Sequence, residues 1–311
     1  MMGVGRTDYR LRLRLLSPLG TPMQSDTLFG HLAWLEAWRG GEEGVRGFLA
    51  PFLGGAPPFV LSDAFPAGLL PRPLFVPEAP GGGVPARAGF AAAKRWLKAP
   101  FVSAADFAAL LAGPAAAAPH DSPWESAETP HASIDRNTWT TTPGGQFFST
   151  ASLVLGAGCD AVDIYVRELA EGGAAWVEAA FHDLAKTGFG RDKSTGAGAF
   201  EVAAFDPWDG FAGPAGADGF VSLSTLMPAA ADPADGRWRI RVKRGCLGET
   251  AGAGNPFKRP LVQLEPGAVF RAGGAPRPWY GRMVSGIAPG MPEAAQCGLA
   301  LAAPCAAAGR V

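Results

Sequence analysis

Eight residues near the N-terminus limit the possible folds more than any other stretch. Tyr9-Arg-Leu-Arg-Leu-Arg-Leu-Leu16 alternates charged and apolar side chains. Neighbouring side chains on a strand point to opposite faces, so Leu11, Leu13 and Leu15 share one face and Arg10, Arg12 and Arg14 the other. The chain must therefore build a sheet with one buried and one polar face, a pattern of antiparallel sheets backed by helices.

A loop with Pro18, Gly20 and Pro22 follows. Ser25 and Asp26 then offer an N-cap for a helix over about 27–39. Leu28, Leu32 and Leu35 give it one buried stripe, and Gly40-Gly41 should stop it. Strand patterns recur at 59–65, 160–166, 200–202, 237–242, 268–270 and 297–302, with a helix over 178–185. Between about 78 and 130 the pattern fades into a glycine triplet at 81–83, a short basic helix near Lys94–Lys98 and an Ala/Pro tract at 112–119, which suggests an insertion. Strand–helix–strand units in each half predict an α+β fold of two domains, over 1–150 and 151–311.

Charge narrows the function. The net charge is −1, whereas nucleic-acid binders are usually basic, so any RNA contact must rest on local patches. Two exist on strands: Arg10–Arg14, and the face shared by Arg237, Arg239, Arg241 and Lys243. One such strand is commonly a solvated face, but two favour a sheet surface that meets phosphate. The four cysteines show no C-x-x-C spacing, which disfavours a zinc knuckle and suits a reducing cytoplasm. No stretch is apolar enough to predict a bilayer-spanning helix.

The sharpest local motif is Gly188-Phe-Gly-Arg-Asp-Lys-Ser-Thr-Gly-Ala-Gly198. Glycines permit positive φ and close backbone approach to an anion, while Arg191, Lys193, Ser194 and Thr195 add donors. It is not a P-loop, because Asp192 stands where glycine must precede Lys-Ser. It is not a dinucleotide fingerprint either, because Lys193 occupies the third glycine position. The plain alternative is a flexible turn. His131-Ala-Ser-Ile-Asp-Arg136 places His131 and Ser133 together but lacks a nucleophile elbow, and no histidine pair has metal-ligand spacing. No catalytic or metal site is expected.

Several segments in order resemble a known family: Ser25-Asp-Thr-Leu-Phe-Gly30, Ser62-Asp-Ala-Phe-Pro66 leading to Leu70-Pro-Arg-Pro-Leu74, the 131–136 segment, Gly145-Gln-Phe-Phe148, the 188–198 loop and Tyr280-Gly-Arg-Met-Val284. Together they look like the RAMP-superfamily fourth subunits of Csm (type III-A) CRISPR effectors. The likeness runs over nearly the whole chain, but the glycine-rich loop alone is common to many RAMP proteins. The resemblance implies two ferredoxin-like (RRM-like) βαββαβ domains, the first carrying an inserted β-hairpin thumb within about 87–150. It implies a non-catalytic, cofactor-free subunit that binds the repeat-derived 5′ tag of the guide RNA (crRNA). Its protein partners would be a large polymerase-like subunit and a backbone RAMP subunit. The expected RNA-contacting residues are Ser25, Asp26, Arg72, His131, Ser133, Arg136, Gly188, Gly190, Arg191, Lys193, Ser194, Thr195, Gly196 and Gly198. The alternatives are a RAMP endoribonuclease processing guide precursors, for which His131 is the candidate base, an interaction subunit without RNA contact, and the equivalent Cmr-type subunit.

Overall fold

The computed structural model describes residues 7–76, 87–141, 147–248, 255–289, 291 and 293–311. The glycine triplet at 81–83, together with Gly145 and Gln146, lies outside them.

In chain order the first elements are β1 (Asp8–Leu15), α1 (Ser25–Leu53), β2 (Phe59–Leu61), β3 (Phe65–Pro66), β4 (Leu69–Pro71), α2 (Arg87–Lys98), β5 (Phe101–Ser103) and α3 (Ala104–Ala112). There follow β6 (Trp124–Ala132), β7 (Phe147–Leu155), β8 (Ala161–Glu168), α4 (Gly173–Thr187) and β9 (Phe200–Trp208). The last part holds β10 (Gly219–Ser222), β11 (Gly236–Arg237), β12 (Ile240–Lys243), β13 (Leu261–Leu264), β14 (Val269–Arg271), β15 (Trp279–Tyr280), β16 (Met283–Ser285), β17 (Ala295–Cys297) and β18 (Ala300–Cys305).

The alternating segment forms the centre of the first sheet, whose order is β2–β8–β1–β9, with β3 also pairing β8. β1 runs antiparallel to both neighbours, Leu11 opposite Ile164 and Phe205. Leu11 and Leu13 are fully buried and pack with Leu28 and Leu32 of α1 and Val177 and Phe181 of α4. Burying each such side chain stabilises by roughly 1.5–3 kcal/mol relative to exposure.

Helix α1 runs on beyond the glycine pair. Gly41 adopts φ 61 and ψ −147, which breaks the helix without ending it, and a second segment continues to Leu53. That segment buries Phe52 against Phe29 and Phe59. Tertiary packing of an aromatic cluster overrides the weak helix propensity of glycine here. The faded stretch between about 78 and 130 holds another helix, just before the Ala/Pro tract. α3 is started by Ser103, whose Oγ accepts from Asp106 N at 3.0 Å, and it buries Phe107, Leu110 and Leu111.

Two features stand apart from expectation. Residue 150 falls inside β7, and the first sheet draws β8 and β9 from beyond it. The strands that complete the first sheet thus follow the inserted region. The second half is expected as another βαββαβ unit, yet among the described residues every regular element after α4 is a strand, apart from a 3-10 turn at Lys193–Thr195. Its five-stranded sheet, β11–β14–β10–β18–β15, takes cover instead from α3, which packs on β18. One buried cluster joins the two sheets, from Leu11, Phe59 and Ile164 to Val221, Val269 and Leu301.

Candidate nucleic-acid interface

The glycine-rich loop begins where α4 ends. Gly188, Gly190, Gly196 and Gly198 all have positive φ, as does Asp192. Two of these glycines are required by space as well as by φ. A Cβ on Gly198 would lie 1.9 Å from the Phe189 carbonyl oxygen, and one on Gly190 would lie 2.9 Å from Thr21 Cβ.

The loop is stitched to the β1–α1 connection. Gly190 N donates to His31 Nε2 at 3.2 Å, and Arg191 N to Thr21 Oγ1 at 3.1 Å. Gly198 N donates to Pro18 O at 2.8 Å, and Ala199 N to Ser17 Oγ at 2.8 Å. Thr195, Gly196 and Ala197 amides turn back onto Asp192 and Lys193 carbonyls. Most of the amides expected to grip phosphate are thus consumed in holding the loop's shape. The side chains of Arg191, Ser194 and Thr195 are exposed, with Arg191 Nε paired to Asp192 Oδ2 at 3.0 Å and Thr195 Oγ1 donating to Asp192 O at 2.9 Å. Lys193 lies 4.7 Å above the ring of Trp38, an exposed side chain of α1. His31 is partly buried against Phe189, their centroids 4.4 Å apart. Burial, helped by the Lys193 charge, pushes its pKa down to about 4, so it stays a neutral acceptor.

The same loop touches the root of the β6–β7 hairpin. Arg191 NH2 donates to Ala151 O at 2.7 Å, and Leu19 pairs with Leu153 through two 2.8 Å bonds. The hairpin then runs out into solvent. His131 stands opposite Phe148, rings stacked at 5.1 Å and 16°. At its outer end Ile134, Trp139, Phe147 and Phe148 are exposed, Trp139 at 85% and Phe147 at 77%. Ser133 and Arg136 sit on this outer turn, Ser133 half-buried and Arg136 exposed. Phe148 is three residues from Ala151, about 10 Å along the strand. One side of the molecule thus brings together the loop's cations and hydroxyls, Trp38, and a projecting ribbon tipped with aromatic rings.

Three expected contact residues lie elsewhere. Ser25 and Asp26 are buried, and the Ser-Asp pairs at 25–26 and 62–63 meet each other. Asp63 accepts from the amides of Ser25 at 2.9 Å and Thr225 at 2.8 Å, so a distant carboxylate caps α1. Burial raises the Asp63 pKa against those hydrogen bonds. Asp26 accepts from Lys243 Nζ at 2.7 Å, Gln263 Nε2 at 2.7 Å and Gln296 Nε2 at 2.8 Å. Burial works to raise its pKa too, but the Lys243 charge and these donors hold it below the usual carboxylate range. The pair serves to tie the first helix to the second half. Arg72 is only 4% exposed. Its guanidinium donates to the carbonyls of Ala99, Leu97 and Pro73 and lies 5.3 Å from the Trp96 ring. It caps the negative C-terminal end of α2. Burial, with Arg239 nearby, lowers its pKa to about 10.

The arginine face of β1 is also neutralised. Arg10 pairs with Asp206, Arg12 with Asp163 and Arg14 with Glu201. These carboxylates come from β8 and β9 and leave no cation on that face for phosphate. The second arginine segment is split between β11 and β12, with Arg241 and Lys243 turned inward to Thr225 and Asp26. Sequence reasoning missed Trp38 and Trp139. The i, i+4 spacing of Trp34 and Trp38 was the available signal for the first. Among the described residues no three His, Cys, Asp or Glu side chains gather as metal ligands, and no helix is long and apolar enough to cross a membrane.

No family model and no curated protein matches the sequence. Solved structures do match. A chain of a Csm1–Csm4 cassette bound to AMPPNP superimposes with a TM-score of 0.61 at 18% identity, covering 96% of this chain and 98% of that one. A cassette bound to cA4 gives 0.61 at 16% identity with the same coverage. A chain of a Csm3–Csm4 subcomplex from a type III-A CRISPR-Cas interference complex gives 0.57 at 12% identity, covering 96% and 99%. Along nearly its whole length, this chain therefore has the fold found in chains of the Csm1–Csm4 and Csm3–Csm4 assemblies.

Proposed function

We propose that the protein is the non-catalytic, guide-binding fourth subunit of a Csm-type (type III-A) CRISPR effector, holding the 5′ tag of the crRNA in the cytoplasm. The observation that carries this reading is the end-to-end fold match to chains from two kinds of assembly whose common subunit is Csm4. The partners follow by analogy: a large subunit corresponding to Csm1 and a backbone subunit corresponding to Csm3.

The local geometry supports the same reading. The order β1–α1–β2–β8–α4–β9 with sheet order β2–β8–β1–β9 fits a ferredoxin-like unit. The second sheet would be its helix-poor counterpart, and the β6–β7 hairpin the thumb. Single-stranded RNA is held by cations along its backbone and by aromatic faces under its bases. Arg191 and Lys193 supply the first, with Arg136 at the hairpin turn, and the hydroxyls of Ser194 and Thr195 add neutral polar groups beside them. His131, Trp139, Phe147 and Phe148 supply the second. The glycines at 188, 190, 196 and 198 act by shaping the loop.

The endoribonuclease reading draws less support. Among the described residues His131 is set in a ring stack with Phe148 and has no side-chain hydrogen bond to an acid or base, and a general base must reach the proton it takes. The test is to incubate the purified protein with tag-bearing guide RNA, alone and with its large and backbone partners, across a salt series. Expected are salt-sensitive binding, tightened by the partners, and intact RNA. Tag-independent or absent binding in the complete assembly refutes the guide-binding role, and cleavage abolished by His131→Ala replaces it with the processing enzyme.

A further inference from the structure

The ribbon β12–β13 has its polarity inside out. Arg241 faces Gln263, and Val242 faces Val262, in direct cross-strand pairs. The polar side points inward. Lys243 and Gln263 reach the buried Asp26, and Arg241 reaches Thr225. The apolar side points out: Ile240 is 61% exposed, Val242 53% and Val262 61%. A bridge between Cys246 and Phe257 extends the ribbon, and Phe257 is exposed as well. At the root, Leu264, opposite Ile240, is buried with Phe270, so the outer stripe continues a core.

The inversion has a physical reason. The buried carboxylate of Asp26 demands donors, and a strand that turns Lys243 inward must turn Ile240 and Val242 outward, because side chains alternate. Contiguous exposed β-branched side chains are uncommon on a solvated surface and mark interaction sites.

The charge around the stripe indicates what covers it. Arg237, Arg239, Arg244 and Arg259 are exposed, and none pairs with a carboxylate among the described residues. The arginines of β1, by contrast, are each matched. We infer that the outer face of β12–β13 docks a protein subunit that presents an apolar strand or ridge bordered by Asp and Glu. Aliphatic side chains at the centre favour protein over RNA, since they have no π-face for a base, and complementary charge at the rim is how interfaces set register.

This inference rests on the effector reading, which supplies the candidate subunits. The experiment uses the full chain with its large and backbone subunits and guide RNA. Two variants are compared with wild type: Val242→Ser with Val262→Ser, which removes apolar area, and Arg244→Glu with Arg259→Glu, which reverses the rim without touching the ribbon's packing. Each protein–protein affinity and the RNA affinity are measured separately, with thermal melting as a folding control. Expected is at least a tenfold loss for one protein partner from either variant, with the other partner and RNA unchanged. Unchanged affinity for both proteins in the folded arginine variant overturns the docking surface and leaves the effector reading standing. A loss confined to RNA overturns it in favour of a nucleic-acid face. Failure of the wild-type chain to assemble at all overturns the effector reading and this inference with it.

Discussion

Protonating His31 should loosen the glycine-rich loop from the first helix. His31 Nε2 accepts from Gly190 N, an interaction only the neutral ring can make. Its folded-state pKa is near 4 against an ordinary 6.5, chiefly from burial and secondarily from Lys193. The folded value is depressed, so the stabilisation is fully present above about pH 6.5 and is lost as pH falls toward 4. Between pH 7 and pH 5 the unfolded chain gains a proton that the folded chain refuses, at a cost of about 2 kcal/mol, reaching about 3 kcal/mol below pH 4. The assay is urea unfolding at pH 7 and pH 5 for wild type and His31→Gln, which keeps a neutral acceptor. Carboxylates elsewhere affect both proteins equally, so the difference between the two losses isolates His31. The wild type should lose about 2 kcal/mol more than the variant. Lys193→Met should narrow the gap by removing the cation that helps to hold the ring neutral. Equal losses in wild type and His31→Gln would refute the argument.

Asp26→Ala should destabilise the fold by about 3–5 kcal/mol, because Lys243 and two glutamine amides lose their common acceptor in the interior; chemical denaturation measures it, and a loss under about 1 kcal/mol would contradict the clamp. Gly198→Ala should cost more than about 2 kcal/mol in the same assay, since both φ and the Phe189 carbonyl oppose a Cβ, and a neutral effect would mean the loop yields freely. Trp139→Ala with Phe148→Ala should weaken guide RNA binding by about 1–3 kcal/mol per stacked base and leave the melting temperature unchanged, read by fluorescence anisotropy. Arg191→Ala with Lys193→Ala should reduce the salt slope of RNA binding by about two units, and an unchanged slope would show that neither contacts phosphate.

Much of the scaffold follows from local pattern. The period-two alternation of 9–16 names β1 and its buried face, the leucines at 28, 32 and 35 name α1, and the glycines of 188–198 name a loop whose positive-φ turns favour glycine. These properties are set by neighbours within a few residues, where backbone geometry alone decides which side a group faces. Partner choice is different. That Arg10, Arg12 and Arg14 meet Asp206, Asp163 and Glu201 depends on strands about 150 to 200 residues away, and only their register reveals the face as neutral. Burial of Ser25, Asp26 and Arg72 is likewise collective: a polar residue goes inside when distant donors or acceptors converge on it, and no local signal announces Lys243, Gln263 and Gln296 around one carboxylate. The same convergence turns the apolar side of β12–β13 to solvent. The sequence by itself determined which residues are apolar, basic or conformationally free; the tertiary structure decided which cations are already paired, which aromatics are presented, and which apolar face is left open, because pairing and exposure are properties of residues brought together from across the whole chain.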